Sequence, residues 1–325
     1  MSLRFFSGLN SPPLVVAAGA AIVVGLPALE FSTVSLAVLK GANVLAFLTN
    51  VAAVSVPGRL DGLQDQAMRS GDLNPSKPAS SSTPLVNNQP PHQENIYSTI
   101  RTRTLLNPSG WAFAIWGPIY LGEATFVAAQ FLSLPHGLDF ILPQITAPFV
   151  AFNLMQSLWC ASFRPSYSEG WNKWVSVAML GGTAYSLSFI EAIAMTTSTP
   201  LVPWWYFLPL TVHFGWTTAA TLVNLNGSVA MEPSTSDATI VAVGHASALT
   251  ATALGLALAP SAPAYGLTVA WALAACADGM AKRLNERASQ QNQSESLKTG
   301  AKVQRILCWA GSALCVGASI VPFLV

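Results

Sequence analysis

The sequence predicts an all-α fold, a polytopic bundle of about nine transmembrane helices, on three observations. Only 9% of the 325 residues are charged and 52% are hydrophobic, against about 25% charged in an average soluble domain. The apolar runs are of helix length rather than ten-residue alternations. Lipid requires every backbone polar group to be paired internally, and this length favours helices over a barrel. Basic residues also collect on one side of the resulting partition, as cytoplasmic loops do.

In chain order, the spans fall near residues 13–28, 35–56, 108–133, 141–163, 172–197, 203–229, 238–258, 262–284 and 304–324. The first follows Arg4 and is short enough for a removable targeting segment, which would leave eight spans; we expect it to be retained. The second carries Asn43 and Asn50, two helical turns apart. The third opens on the turn residues Asn107, Pro108, Ser109 and Gly110 and continues to Gln130. The fifth contains the small-residue run Gly181, Gly182 and Ala184. Arg4, the group from Arg59 to Arg103, Arg164 with Lys173, and the group from Lys282 to Arg305 put fourteen of the fifteen basic residues on one side, leaving Lys40. The amino terminus is therefore expected inside and the carboxyl terminus outside.

Three segments follow from this partition: an N-terminal hydrophobic stretch at 1–34, a core at 35–230 interrupted by the loop 57–107, and three further spans at 231–325 with a polar loop at 285–303. The Pro, Ser and Asn-rich stretch 74–93 has too little apolar surface to fold alone, and we expect disorder there and in 288–300. Cys160, Cys276, Cys308 and Cys315 all fall in spans without metal-ligand spacing and are expected to be buried free thiols.

The candidate site residues sit on polar, aromatic helix faces. Trp116, Tyr120 and Glu123 share one face of the third span at steps of four and three. An acid within a span costs roughly 2.5–3.5 kcal/mol, so Glu123 faces a bundle interior or a neighbouring helix. Phe152, Gln156, Trp159 and Phe163 share a face, as do His213, Trp216, Ala220 and Asn224; with Asn43 and Asn50 these faces could converge on a planar amphipathic ligand. The competing reading is that amides glue helices and that Trp111, Trp171, Trp204 and Trp205 form interfacial belts. Glu191 reads as a packing hydrogen bond, and Asp278, four before Lys282, as an interfacial pair. His213 and His245 could in principle hold a haem iron from two spans. There is no Walker loop, GxSxG elbow, dinucleotide fingerprint, HExxH, clustered Asp for a diphosphate or mid-span lysine for retinal, so no enzyme and no nucleic-acid partner is expected.

Pro108, Gly110, Trp111, Phe113, Trp116, Gly117, Ile119 and Tyr120 resemble the second-helix signature of the TspO/translocator protein family, the tryptophan-rich sensory proteins. Leu158 and Trp159 fall where that family has Asn-x-x-Trp in its third helix, with Gln156 in place of the Asn. Gly215, Trp216, Ala220, Thr221 and Asn224 match its fifth-helix run, and Trp271 to Lys282 resemble the end of its larger, eight-helix members. The resemblance covers roughly residues 40–285. It implies a five-helix core at 35–230 whose first, second and fifth helices line a pocket. The ligand it implies is a tetrapyrrole, porphyrin or haem, held as ligand and not as resident cofactor. Asn43, Asn50, Trp111, Phe113, Trp116, Tyr120, Glu123, Gln156, Trp159, His213, Trp216 and Asn224 are the candidate ligand-binding residues. A sterol is the weaker expectation, because Leu222 to Glu232 lacks the Tyr and basic residue of the sterol pattern. The expected surroundings are membrane lipid and, as an open alternative, a second copy of the chain. A proton-coupled secondary transporter using Glu123, Glu191 and His213, or a structural subunit of a membrane complex, remain alternative functions.

Overall fold

The computed structural model describes residues 8–26, 29, 31–55, 103–132, 138–162, 167, 170–197, 204–288 and 294–324. Among these residues every regular element is helical, and there are nine α-helices, one for each expected span: α1 (Pro12–Ala20, carried on as a π-turn by Ala21–Gly25), α2 (Leu36–Ser55), α3 (Trp116–Ala129, entered through the 3-10 turn Gly110–Ile115), α4 (Leu142–Ala161), α5 (Val175–Thr196), α6 (Leu208–Met231), α7 (Asp237–Leu258), α8 (Pro263–Ala288) and α9 (Glu295–Ile320). Six helical segments, those containing α2, α3, α5, α7, α8 and α9, are long and apolar enough to cross a membrane. Those containing α4 and α6, of 20 and 24 residues, are more polar. Burial supplies the reason: α4 buries Thr146, Asn153 and Gln156, and α6 buries Thr211, His213 and Thr217, each against another helix rather than lipid.

Helix starts follow local chemistry. Pro143 and Pro209 occupy the first turns of α4 and α6, where their missing N–H costs nothing. Ser236 caps α7 by accepting from the Thr239 N–H at 3.1 Å. Ser294 caps α9 by accepting from the Leu297 N–H at 3.3 Å and donates its own proton to Asp237 at 2.5 Å. This corrects one expectation: of the polar stretch 288–300, residues Glu295 to Gly300 are ordered as the first turns of α9, because a serine cap and the Asp237 anchor organise a segment whose composition alone reads as loop. The expected disorder at 74–93 lies outside the described residues.

Helices α2, α4, α5, α6 and α3 pack in that order as a closed ring, α3 returning to α2. Helices α7, α8 and α9 pack on the α6 side, and α1 lies against α4 and α5. Two glycines decide close approaches. At Gly215 a Cβ would lie 2.9 Å from Thr268 Cβ and 3.0 Å from the Tyr265 carbonyl oxygen, so the glycine of the fifth-helix run lets α8 seat on α6. At Gly279 a Cβ would overlap the Asn107 carbonyl oxygen, so α8 closes on the backbone that opens α3. Ser109 N–H donates to the Ala275 carbonyl at 2.9 Å in the same contact.

The four cysteines are free and buried, as expected. Lys40 meets Asp139 at 2.7 Å, and Asp278 pairs with Lys282 at 2.9 Å. Glu191 forms an interhelical hydrogen bond, accepting from Thr211 Oγ at 2.5 Å.

Candidate functional site

The ring of five helices surrounds an aromatic and polar interior centred on Trp116. Its indole stacks on Tyr120 with ring centroids 5.5 Å apart and planes 21° apart. It meets His213 and Trp216 edge-on at 5.5 and 6.0 Å. Such pairs contribute about 0.5–1.5 kcal/mol each beyond area burial. Phe152 closes the far side of the His213 ring at 5.3 Å, and Phe113 abuts Trp216 at 5.8 Å. The α3 face read from the sequence is thus matched by faces from α4 and α6.

At the centre, His213 Nδ1 and Glu123 Oε1 are 2.5 Å apart, and both side chains are fully buried. Gln156 donates from Nε2 to the Tyr120 hydroxyl at 2.8 Å. Trp159 Nε1 donates to Asn224 Oδ1 at 3.4 Å, linking α4 to α6. Among the described residues, Glu123 Oε2, His213 Nε2, Gln156 Oε1 and Trp216 Nε1 are buried without a hydrogen-bond partner. A buried polar atom left unpaired costs about 1–3 kcal/mol, so these four carry unmet hydrogen-bonding capacity, as do Asn43 Oδ1 and Asn50 Oδ1 on α2.

Seven of the twelve sequence candidates therefore belong to this interior or its rim: Phe113, Trp116, Tyr120, Glu123, Gln156, His213 and Trp216. Trp159 and Asn224 meet each other, and Trp159 packs on the cluster of Val15, Met155 and Met179 between α1, α4 and α5. Trp111 does not join the interior. It is 41% exposed, meets Trp271 edge-on at 4.7 Å and donates from Nε1 to Asp278 at 2.9 Å. Five residues before Trp116, Trp111 lies off the Trp116 face on a helical count, and it reaches α8. Asn43 and Asn50 are buried but bind other polar side chains: Asn43 donates to Gln130 at 3.1 Å and Thr146 at 3.3 Å, and Asn50 donates to Asn153 at 3.0 Å. They join α2 to α3 and α4, in keeping with the helix-glue reading. His245 faces the Gly300 carbonyl at 3.1 Å, between α7 and α9, so the two histidines are not brought together for one iron.

Phe152 was legible as part of the α4 face, whereas Asn153 was missed. Its signal was weak, an amide one position off that face. The described residues hold no cluster of three His, Cys, Asp or Glu suited to a metal. Trp171 and Trp205, read as interfacial, are 55% and 46% exposed.

A family model described as TSPO-like protein matches residues 82–294, about two-thirds of the chain. It spans α3 through α8 and leaves α1, α2 and α9 outside. No curated protein and no solved structure matches the chain.

Proposed function

The chain belongs to the TSPO-like protein family, and from that membership we propose that this multi-pass membrane protein binds a tetrapyrrole or a similar planar hydrophobic ligand in the interior around Trp116. The observation that carries this reading is the set of unpaired buried atoms, Glu123 Oε2, His213 Nε2, Gln156 Oε1 and Trp216 Nε1, set in aromatic walls. A flat macrocycle offers π-faces to the tryptophans and phenylalanines and polar groups to the orphaned atoms. The residues also suit a metallated porphyrin: a histidine whose Nδ1 is held by a carboxylate presents Nε2 in the arrangement that metal-binding histidines adopt. Binding, carriage or sensing, rather than turnover, is the role proposed.

The test is absorption and quenching titration of purified protein with protoporphyrin and with haem. Trp116→Ala removes a stacked ring worth about 0.5–1.5 kcal/mol plus its burial, and should weaken binding roughly tenfold or more. Trp171→Ala, on an exposed indole, should leave it unchanged. Equal affinities for wild type and Trp116→Ala would refute the pocket, and absence of binding by wild type would refute the ligand class.

A second reading, a proton-coupled carrier, has the buried Glu123–His213 contact as its own observation. Proton uptake by loaded vesicles that is abolished in Glu123→Gln would favour it over a receptor.

A further inference from the structure

A cavity lies on the Pro143 to Ala151 face of α4, distinct from the face of Phe152 and Gln156 that meets the aromatic interior. It is a half-open cleft of about 490 Å³ between the end of the N-terminal helical segment, α4 and α5, within the range of about 300–1,000 Å³ usual for small-molecule sites. Val23 and Phe31 form one wall, Gln144 and Pro148 another, and Tyr185 and Phe189 the third. Val23 and Phe31 precede the residues matched by the family model, so this cleft depends on an element outside the matched part of the chain.

Three features define its chemistry. None of its lining residues is charged, so a phosphate or ammonium headgroup drawn into it would lose water without gaining a counter-charge. The wall hydroxyls of Ser186 and Thr196 are spent on their own helix, donating to the Gly182 and Ala192 carbonyls at 2.9 and 3.0 Å. Pro148 lies inside α4 and carries no N–H, so the Gln144 carbonyl one turn earlier loses its helical donor at a position that also lines the cleft. The polar end, at Gln144 and Thr196, is separated from Tyr185 by eleven residues of α5, about 16 Å along the helix, with apolar walls between.

We propose that this cleft is a lipid site that takes an uncharged lipid with a hydroxyl headgroup, its hydroxyl donating to the Gln144 carbonyl and its hydrocarbon chain lying between Phe31, Phe189 and Tyr185. In lipid, a backbone carbonyl without its helical donor is stabilised by any neighbour that supplies a proton, and a ligand hydroxyl at this spot does so where the Ser186 and Thr196 hydroxyls are already spent on their own helix.

The test uses the full chain in phosphatidylcholine vesicles with a diacylglycerol carrying a photoactivatable acyl chain. The controls are the matched phosphatidic acid and the matched lipid with its hydroxyl acetylated. Crosslinks from the diacylglycerol should map to residues 185–196 and to Val23, Leu29 and Phe31. The acetylated lipid should label about fivefold less, the factor set by one hydrogen bond of about 1 kcal/mol, and the phosphatidic acid at least fivefold less, because its charge finds no counter-charge in the cleft. Ala192→Phe, at an exposed lining position, should fill the cleft and remove the labelling. Pro148→Ala restores the N–H to the Gln144 carbonyl and should abolish the preference for the free hydroxyl while chain labelling persists. Equal labelling by all three lipids, labelling that survives Ala192→Phe, or a hydroxyl preference that survives Pro148→Ala would each overturn the proposal.

Discussion

Removing the Glu123 side chain provides a severe test of the interior. Glu123 Oε1 and His213 Nδ1 are 2.5 Å apart on α3 and α6, 90 residues apart in sequence, and both side chains are fully buried. Hydrogen bonds between membrane helices contribute about 0.6 kcal/mol on average and up to about 1.7 kcal/mol. A pair with no access to water belongs at the upper end, so a coupling of about 1.5 kcal/mol is expected. Glu123→Ala loses this, leaves His213 Nδ1 unpaired and opens a cavity beside Phe152 and Trp116, for a total of about 3 kcal/mol. Glu123→Gln keeps the shape and one carbonyl oxygen and should cost about 1 kcal/mol. The assay is reversible unfolding in mixed micelles of wild type, Glu123→Ala, Glu123→Gln, His213→Ala and the double alanine variant. A coupling below about 0.5 kcal/mol, or equal losses for Glu123→Ala and Glu123→Gln, would refute the arrangement.

Gly279→Ala should destabilise by about 1–3 kcal/mol, because its Cβ would overlap the Asn107 backbone oxygen; Gly41→Ala, with nothing within 4 Å of its Cβ, should be neutral or stabilising by up to about 1 kcal/mol. Thermal unfolding in detergent compares the two. The hydrogen bond from Lys173 Nζ, 2.6 Å away, holds the Glu232 carboxyl below its usual range, with Ser234 adding to it. Its folded pKa lies below the unfolded value, so its contribution to stability is present above the unfolded pKa and lost as pH falls through the folded one. The melting temperature of wild type should therefore fall more steeply on acidification than that of Glu232→Gln. Cysteines introduced at 70–95 and at 285–300 should label from one face of oriented vesicles and those at 260–264 from the other, as the placement of basic residues requires; opposite labelling of the first two groups would refute the helix order.

Composition, hydropathy and charge placement were enough to determine an all-helical bundle and the approximate bounds of the nine helices found among the described residues, because lipid leaves a chain so poor in charge few other ways to pair its backbone. The motif residues also carried the family resemblance, and helical spacing identified the faces of Trp116, Gln156 and His213. Periodicity defines a face and not its partner, however, and partners came from tertiary structure alone. The meeting of Glu123 with His213 depends on how α3 and α6 close the ring. The pairing of Asn43 and Asn50 with Gln130, Thr146 and Asn153 depends on how α2 seats against α3 and α4. Trp111, a site candidate through the family resemblance, lies outside the interior because Asp278 and Trp271 of α8 hold it, a contact that no spacing within its own helix registers. Glu295 to Gly300 became helix because a cap at Ser294 found Asp237 across α7. The cleft beside Pro148 required three separate elements to meet. Local sequence determines what each helix can offer, and only packing decides which offers meet.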